Sequence, residues 1–172
     1  MTTAPSPARY RIRSISLGDQ VGLRQFYAGL SPDSRVARFH GASSTIPEAM
    51  AASLCHLDHR HREGIVAESL DATGERTIVG HVCIEPTDDD TVEMAIAVAD
   101  AWHRRGVGRA ILGDAIMWAQ VHDVARLVAS IQCGNAAMFV LLRSMGHPIT
   151  YGSPVGGTVD ASLDLRGSSL AA

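Results

Sequence analysis

The 172-residue chain has no lysine: all fifteen of its basic residues are arginine. No lysine side chain is there to be acylated, and a phosphate loop of the G-x-x-x-x-G-K-[ST] kind is excluded because its lysine is missing. Cysteine is scarce as well. Cys55, Cys83 and Cys133 lie far apart, fit no zinc spacing and leave one thiol unpaired in any oxidised scheme, which rules out a disulfide framework and points to a reducing compartment. No run approaches the ~18 apolar residues of a membrane span, and the opening MTTAPSPARYRIR holds no apolar segment of the kind a secretion signal needs. The expectation is a cytoplasmic protein with no membrane partner. A basic surplus is also lacking, since the formal net charge is -3. A general nucleic-acid binder normally carries positive charge over its whole domain, so nucleic acid is not the expected partner and any anion site is local.

With 46% apolar and 19% charged residues, the chain has the balance of one globular domain, long enough to bury a core without a disulfide or a structural metal. Residues 1–8, with Pro5 and Pro7, read as a flexible lead, residues 9–166 as the single domain and residues 167–172 as a frayed tail. Tyr10–Ile15 alternates as a half-buried strand does, and Asp19–Leu30, Asp33–Phe39 and Pro47–Leu57 follow as helices, Pro47 standing at a permitted first-turn position. Branched residues mark strands at Ile65–Glu68, Thr77–Ile84 and Thr91–Val98, the last two joined by a hairpin turn over EPTDDD. Val107, Ile111, Ala115 and Trp118, with Leu112 and Ile116 beside them, recur at helical spacing and predict a helix of about four turns. A strand at Leu127–Ile131, a helix at Asn135–Met145 stopped by Gly146, and a strand at Ser162–Leu165 after the loop GSPVGG complete the pattern. The fold class is α+β, a mostly antiparallel sheet flanked by helices. Met94, Met117, Met138 and Met145 read as fillers of core gaps.

The segment VADAWHRRGVGRAIL carries the chemistry. A strand ends at Val98, and Gly106 and Gly108 sit where the long helix begins. Glycines there let the backbone approach a ligand, and a helix start offers unpaired N–H groups and a positive dipole end. His103, Arg104, Arg105 and Arg109 gather positive charge around those amides inside an acidic protein, so the expected ligand is a phosphate. A bare GxG is served equally by a tight strand-to-helix turn with solvated arginines. A dinucleotide fingerprint is excluded because Ile111 stands where its third glycine belongs.

His103-Arg104-Arg105-Gly106-Val107-Gly108 resembles the [QR]-x-x-G-x-[GA] loop in motif A of the GCN5-related N-acetyltransferases, His103 alone departing from the pattern. YRIRSISLGD is similar to that family's first strand and Asp-led helix, LSPDSRVARF to its substrate-side helix, and NAAMFVLLRSMGH to its motif B. Within the family the nearest similarity is to actinobacterial protein-lysine acetyltransferases, through VEMAIAVADAWHRRGVG. Those carry a fused cyclic-nucleotide-binding domain for which this sequence has no room. The resemblance implies a three-layer acyl-CoA N-acyltransferase fold, with a mixed sheet splayed at strands 4 and 5. It implies acetyl-CoA as co-substrate, with the pantetheine arm along Ile96, Ala97 and Val98, the diphosphate held between His103 and Arg109 with Val107 in the turn, and Asn135 meeting the coenzyme. No metal is called for.

An amine with a pKa near 10.4 attacks a thioester only after losing its proton. Glu93, the sole acid in the apolar strand TVEMAIAV, matches the glutamate that acts as general base in the lysine-acetyltransferase relatives. Its alternative is a solvated carboxylate at the strand's start. A backbone N–H at or beside Val98 is the expected oxyanion donor, of a kind worth about 2.7–4 kcal/mol. The tyrosine with which many relatives protonate the departing thiolate is replaced by Leu142, tolerable because a thiol of pKa near 8.5 can leave as its anion. Tyr151 is a possible substitute with no positional support. Asn135, the only asparagine, also suits the N-cap of its helix. His56, His59 and His61 have no standard metal spacing and read as a polar helix end and loop, which in the family borders the acceptor site. The leading expectation is transfer of an acetyl group from acetyl-CoA to an amine in a ternary complex, with protein lysine favoured and small amines or antibiotics next. A non-catalytic acyl-CoA-binding sensor, suggested by the missing tyrosine, and a protein holding some other nucleotide on its phosphate loop stand as alternatives.

Overall fold

Runs of branched residues become the strands of one seven-stranded sheet in a computed structural model that describes residues 10–39, 45–70, 74–88 and 90–167. The strands are Tyr10–Ser14 (β1), Glu63–Leu70 (β2), Arg76–Asp88 (β3), Thr91–Val98 (β4), Arg126–Gln132 (β5), Ile149–Tyr151 (β6) and Thr158–Asp164 (β7), in the spatial order β1-β2-β3-β4-β5-β7-β6. Every pairing is antiparallel except β4 with β5. The helices are Gln20–Ala28 (α1), Pro32–Phe39 (α2), Glu48–Cys55 (α3), Val107–Val121 (α4) and Ala136–Ser144 (α5). The mixed, helix-flanked architecture expected from the sequence is present. The lead over residues 1–8 and all of the tail beyond Gly167 lie outside the described residues.

Several boundaries differ from the sequence reading, each for a local reason. β3 continues through Pro86 to Asp88, with Pro86 opposite Val92 and a register shift before Asp88. The hairpin turn is therefore shorter than EPTDDD, because a bulge accommodates the proline in the ladder. Pro47 is the N-cap of α3 rather than its first residue, and Asp19 ends a 3-10 turn over Leu17–Asp19 that leads into α1. β6, only three residues long, was not expected, and β7 starts at Thr158 because the GSPVGG loop ends there. Met117 is 58% exposed, so it fills no core gap.

Side chains alternate across the sheet and feed two cores. On one face Val107, Ile111, Leu112, Ala115 and Ile116 of α4 pack over Val82, Ile84 and Met94, and burial of such side chains stabilises by about 1.5–3 kcal/mol each. On the other, Leu23, Phe26 and Tyr27 of α1 and Cys55 of α3 close over Val66, Ile78 and Ala97. Gly80 sets how closely α4 approaches: a Cβ there would lie 2.9 Å from Val107 Cγ1 and 3.2 Å from Ile111 Cδ1.

β4 and β5 pair only from Thr91–Arg126 to Glu93–Val128. Beyond that rung both strands run on unpaired with each other, and the sheet opens.

Candidate active site

The edge of β4 that faces this opening carries unspent main-chain groups. Ala99 donates its N–H to Val79 O at 2.9 Å, one step past the Gly80–Val98 pair. Because hydrogen-bonding direction alternates along an antiparallel strand, Ala97 turns its N–H and C=O toward His81 of β3, whereas Ile96 and Val98 turn theirs toward the gap. Of the three residues expected along the pantetheine arm, Ala97 therefore offers no free main-chain group on that edge. His103 Nε2 donates to Val98 O at 2.9 Å, so the imidazole that departs from the Gln/Arg pattern fastens the loop to the strand end.

After Val98 a 3-10 turn over Asp100–Trp102 leads into the loop. Arg104 has φ 57° and Gly106 φ 84°; these two left-handed residues reverse the chain into α4. Gly106 is the N-cap and has no side chain to offer, and Ala110 is the first residue to close an intrahelical bond, its N–H reaching Gly106 O at 3.0 Å. The N–H groups of Val107, Gly108 and Arg109 thus have no helical acceptor. His103, Arg104 and Arg105 are exposed around them, Arg105 lying 5.6 Å over the Trp102 ring. The set of free amides and flanking cations suits a diphosphate. Val107 contributes main chain only, since its side chain is buried against Gly80. The Arg109 guanidinium points elsewhere and donates to Ser144 O at 2.5 Å, at the end of α5.

Between the parted strands lies a cavity of about 270 Å³, with Glu93 and Ile96 on one wall, Ser130 on the other, Asn135 and Met138 at the α5 side, and Arg38 and Phe39 of α2 across the mouth. Glu93 stands at the last rung before the strands separate, and it is exposed. The cross-strand neighbour Glu85 is bound by both Arg62 Nε and Arg62 Nη2, at 2.5 and 2.6 Å, so its negative charge is matched. Asn135 caps α5 as expected, its Oδ1 accepting from Met138 N at 3.1 Å, which leaves its amide NH2 for a ligand.

Two tethers hold α2 over the opening. The Asp100 carboxylate accepts from Ser31 N at 2.9 Å and from Ser31 Oγ and Ser34 Oγ at 2.7 Å each. Burial alone would raise this carboxyl, but the serine hydrogen bonds outweigh it and hold the pKa at about 2. On the far side Gln132 Nε2 of β5 donates to Val36 O at 3.2 Å.

Beneath α2 lies a polar cluster that the sequence reading did not single out. Tyr27 Oη and His81 Nδ1 share a 2.7 Å hydrogen bond, both residues fully buried. Burial pushes His81 down to about 3 and Tyr27 up to about 12. Arg38 lies 4.9 Å over the Phe39 ring and 5.8 Å over the Tyr27 ring. Its Nη2 donates to Cys83 Sγ at 3.2 Å, while its Nε is buried with no partner. The available signal was the lone His81 in the apolar run TIVGHVCI, of the same kind as Glu93 in its own strand.

The remaining candidates lie apart. Leu142 is fully buried and offers no proton. Tyr151 sits on the outer strand β6, its ring against Phe139 and the Arg143 guanidinium. His59 bonds Glu63 at 2.9 Å and His61 bonds Asp58 at 2.8 Å, and among the described residues no group of His, Cys, Asp or Glu is arranged to hold a metal.

Residues 25–146 match the model of the Acetyltransferase (GNAT) family. Among solved structures, the chain is similar to the GNAT domain of S. lividans PAT, at 24% identity and a TM-score of 0.79 over 94% of this chain and 96% of that one. It is also similar to yncA, a putative acetyltransferase from Salmonella typhimurium solved with its cofactor acetyl-CoA, at 20% identity and a TM-score of 0.74 over 93% and 96%. A phosphinothricin acetyltransferase from Sinorhizobium meliloti in complex with AcCoA aligns at 16% identity and a TM-score of 0.69 over 90% and 88%. These likenesses establish the fold. No curated protein matches the chain.

Proposed function

The chain belongs to the acetyltransferase (GNAT) family, and from that premise we propose that it transfers an acetyl group from acetyl-CoA to an amine by direct attack, with Glu93 as general base. The observation that carries this reading is the position of Glu93 at the rung where β4 and β5 part, on the wall of a cavity between those strands, in a chain whose β4 leads through a short loop to an uncapped helix start. Bound acetyl-CoA supplies a thioester as the activated acyl donor. The amides of residues 107–109, with Arg104 and Arg105, hold the diphosphate. Ile96 and Val98 align the pantetheine arm along β4, and a main-chain N–H at or beside Val98 serves the thioester oxygen as it gains charge. Glu93 accepts the proton that the attacking nitrogen must lose. The new N–C bond forms as the C–S bond breaks, and coenzyme A departs as a thiolate, which needs no acid at Leu142. No covalent enzyme intermediate is involved.

Incubation with acetyl-CoA and a panel of amines and lysine-containing proteins is expected to release free thiol, and Glu93→Gln to slow release by about 10²–10⁴-fold with the acetyl-CoA Kd unchanged. An unaffected variant removes Glu93 from the role of base. The resemblance of VEMAIAVADAWHRRGVG to protein-lysine acetyltransferases makes a protein lysine the first acceptor to try. One observation favours a small amine of another kind: a cation, Arg38, lines the cleft and would repel an acceptor whose sole charge is its ammonium.

A further inference from the structure

A charged group taken out of water is normally paired, because a lone buried charge is costly. Arg13 and Arg62 show this pairing: Arg13 binds Asp19 and Glu68, and Arg62 binds Glu85. Arg38 departs from it. Among the described residues no carboxylate lies within 4.0 Å of its guanidinium, Glu93 included. One arm donates to the Cys83 sulfur, a weak acceptor, the Tyr27 hydroxyl lies close enough to interact with it, Glu93 acts on it only through its field, and its Nε donates to nothing although it is buried. Yet the side chain is not loose. The Phe39 and Tyr27 rings hold the guanidinium plane, the Tyr27 hydroxyl is itself pinned by His81, and α2 is tethered at both walls of the cleft by Asp100 and Gln132. A rigid, half-buried guanidinium that lines a cavity and has no carboxylate partner is suited to recognise one.

Among the described residues Arg38 and Glu93 are the only charged side chains lining the cavity. A fixed cation there repels an acceptor whose sole charge is its ammonium, whereas an acceptor that also bears an anion brings Arg38 its missing partner. From this juxtaposition we infer that the acceptor is a small amine carrying a carboxylate, as a free amino acid does, its carboxylate held by Arg38 while its amine is presented to Glu93. The inference rests on the transferase reading above and names its substrate class.

The test is a thiol-release assay with acetyl-CoA against free amino acids, each beside its C-terminal amide, and a lysine peptide whose termini are blocked. Wild type is expected to acetylate at least one free amino acid with kcat/KM about 100-fold above its amide and above the peptide, the range of a buried charge-assisted pair. Arg38→Lys, which keeps the charge but not the fork, should reduce the preference to under about tenfold, and Arg38→Gln should abolish it. Both variants should bind acetyl-CoA as wild type does in calorimetry, which shows that they fold. Amides turned over as well as acids, or turnover confined to the lysine peptide, overturns the inference while leaving the transferase intact. A wild-type protein that does not bind acetyl-CoA refutes the transferase reading itself. Should the variants not fold, the acid-to-amide ratio of wild type alone still decides.

Discussion

The Tyr27–His81 pair is a single-residue feature with a consequence for stability. His81 is held neutral by burial, its pKa at about 3 against an ordinary 6.5. Above pH 6.5 neither the native nor the unfolded chain carries this proton. Below that value the unfolded chain takes up a proton that the native state refuses, so stability falls by up to about 1.4 kcal/mol per pH unit until the native pKa is reached. Acidification from pH 7 to 4 should therefore lower Tm well before the carboxylates titrate. Tyr27→Phe keeps the buried imidazole and should keep this acid limb, whereas Tyr27→Phe with His81→Leu should flatten it. Equal pH profiles for the two variants would show that His81 is not the titrating group. The same residue scale explains what the sequence did not disclose. Glu93 is legible as the one acid of an apolar strand, but Arg38 looks like any arginine on a short polar helix; only the fold reveals that its partners are two rings and a thiol.

At the scale of elements, the start of α4 decides whether the loop is a cradle. Gly106 and Gly108 look alike in sequence, and the structure separates them. Gly106 has φ 84°, a conformation that costs an L residue about 1–2 kcal/mol. Gly108 has an ordinary helical backbone, and a Cβ there would meet Leu141 Cδ2 at 3.5 Å and Val98 Cγ2 at 3.6 Å, normal contact distances. Gly106→Ala should lower stability by about that 1–2 kcal/mol in denaturant unfolding and weaken coenzyme A binding, because the loop reaches the helix at a changed angle. Gly108→Ala should preserve binding and leave stability unchanged or slightly raised, since alanine is the better helix former. Equal losses at both positions would mean that the glycines serve packing alone. The long periodic elements, α4 and the core strands, were readable because burial on one or both faces fixes their pattern. The short β6 was not: three residues, Ile149–Tyr151, carry no period, and it exists because β7 offers an edge to pair with. The splay of β4 from β5 has no local signal either and entered only through the family resemblance.

On the scale of the whole molecule, two cores lie on opposite faces of the sheet, and the candidate site takes parts from both. The His103–Arg109 loop belongs to the α4 face; Arg38 and Phe39 belong to the α1 and α2 face. Asp100 joins the two, since it precedes the loop by three residues in sequence and holds Ser31 and Ser34 at the start of α2. Its carboxyl sits at about 2 against an ordinary 3.8. The stability it contributes is thus complete above pH 3.8 and lost as pH falls toward 2, so the clamp does not titrate where the enzyme would be assayed. Replacing Ser31 and Ser34 together by alanine removes two of the three donors and the helix cap at Ser31, at a cost of about 1–2 kcal/mol in folding. The loop and its free amides are untouched by that change, whereas the anchor of α2 to Asp100 is reduced to the main-chain N–H of Ser31. The expected outcome is a rise in acceptor KM with the coenzyme A Kd unchanged, measured by initial rates and calorimetry on one preparation. A matched loss of coenzyme affinity would show instead that α2 and the loop form a single unit, and that the two faces of the sheet are coupled more tightly than one carboxylate and two serines can account for.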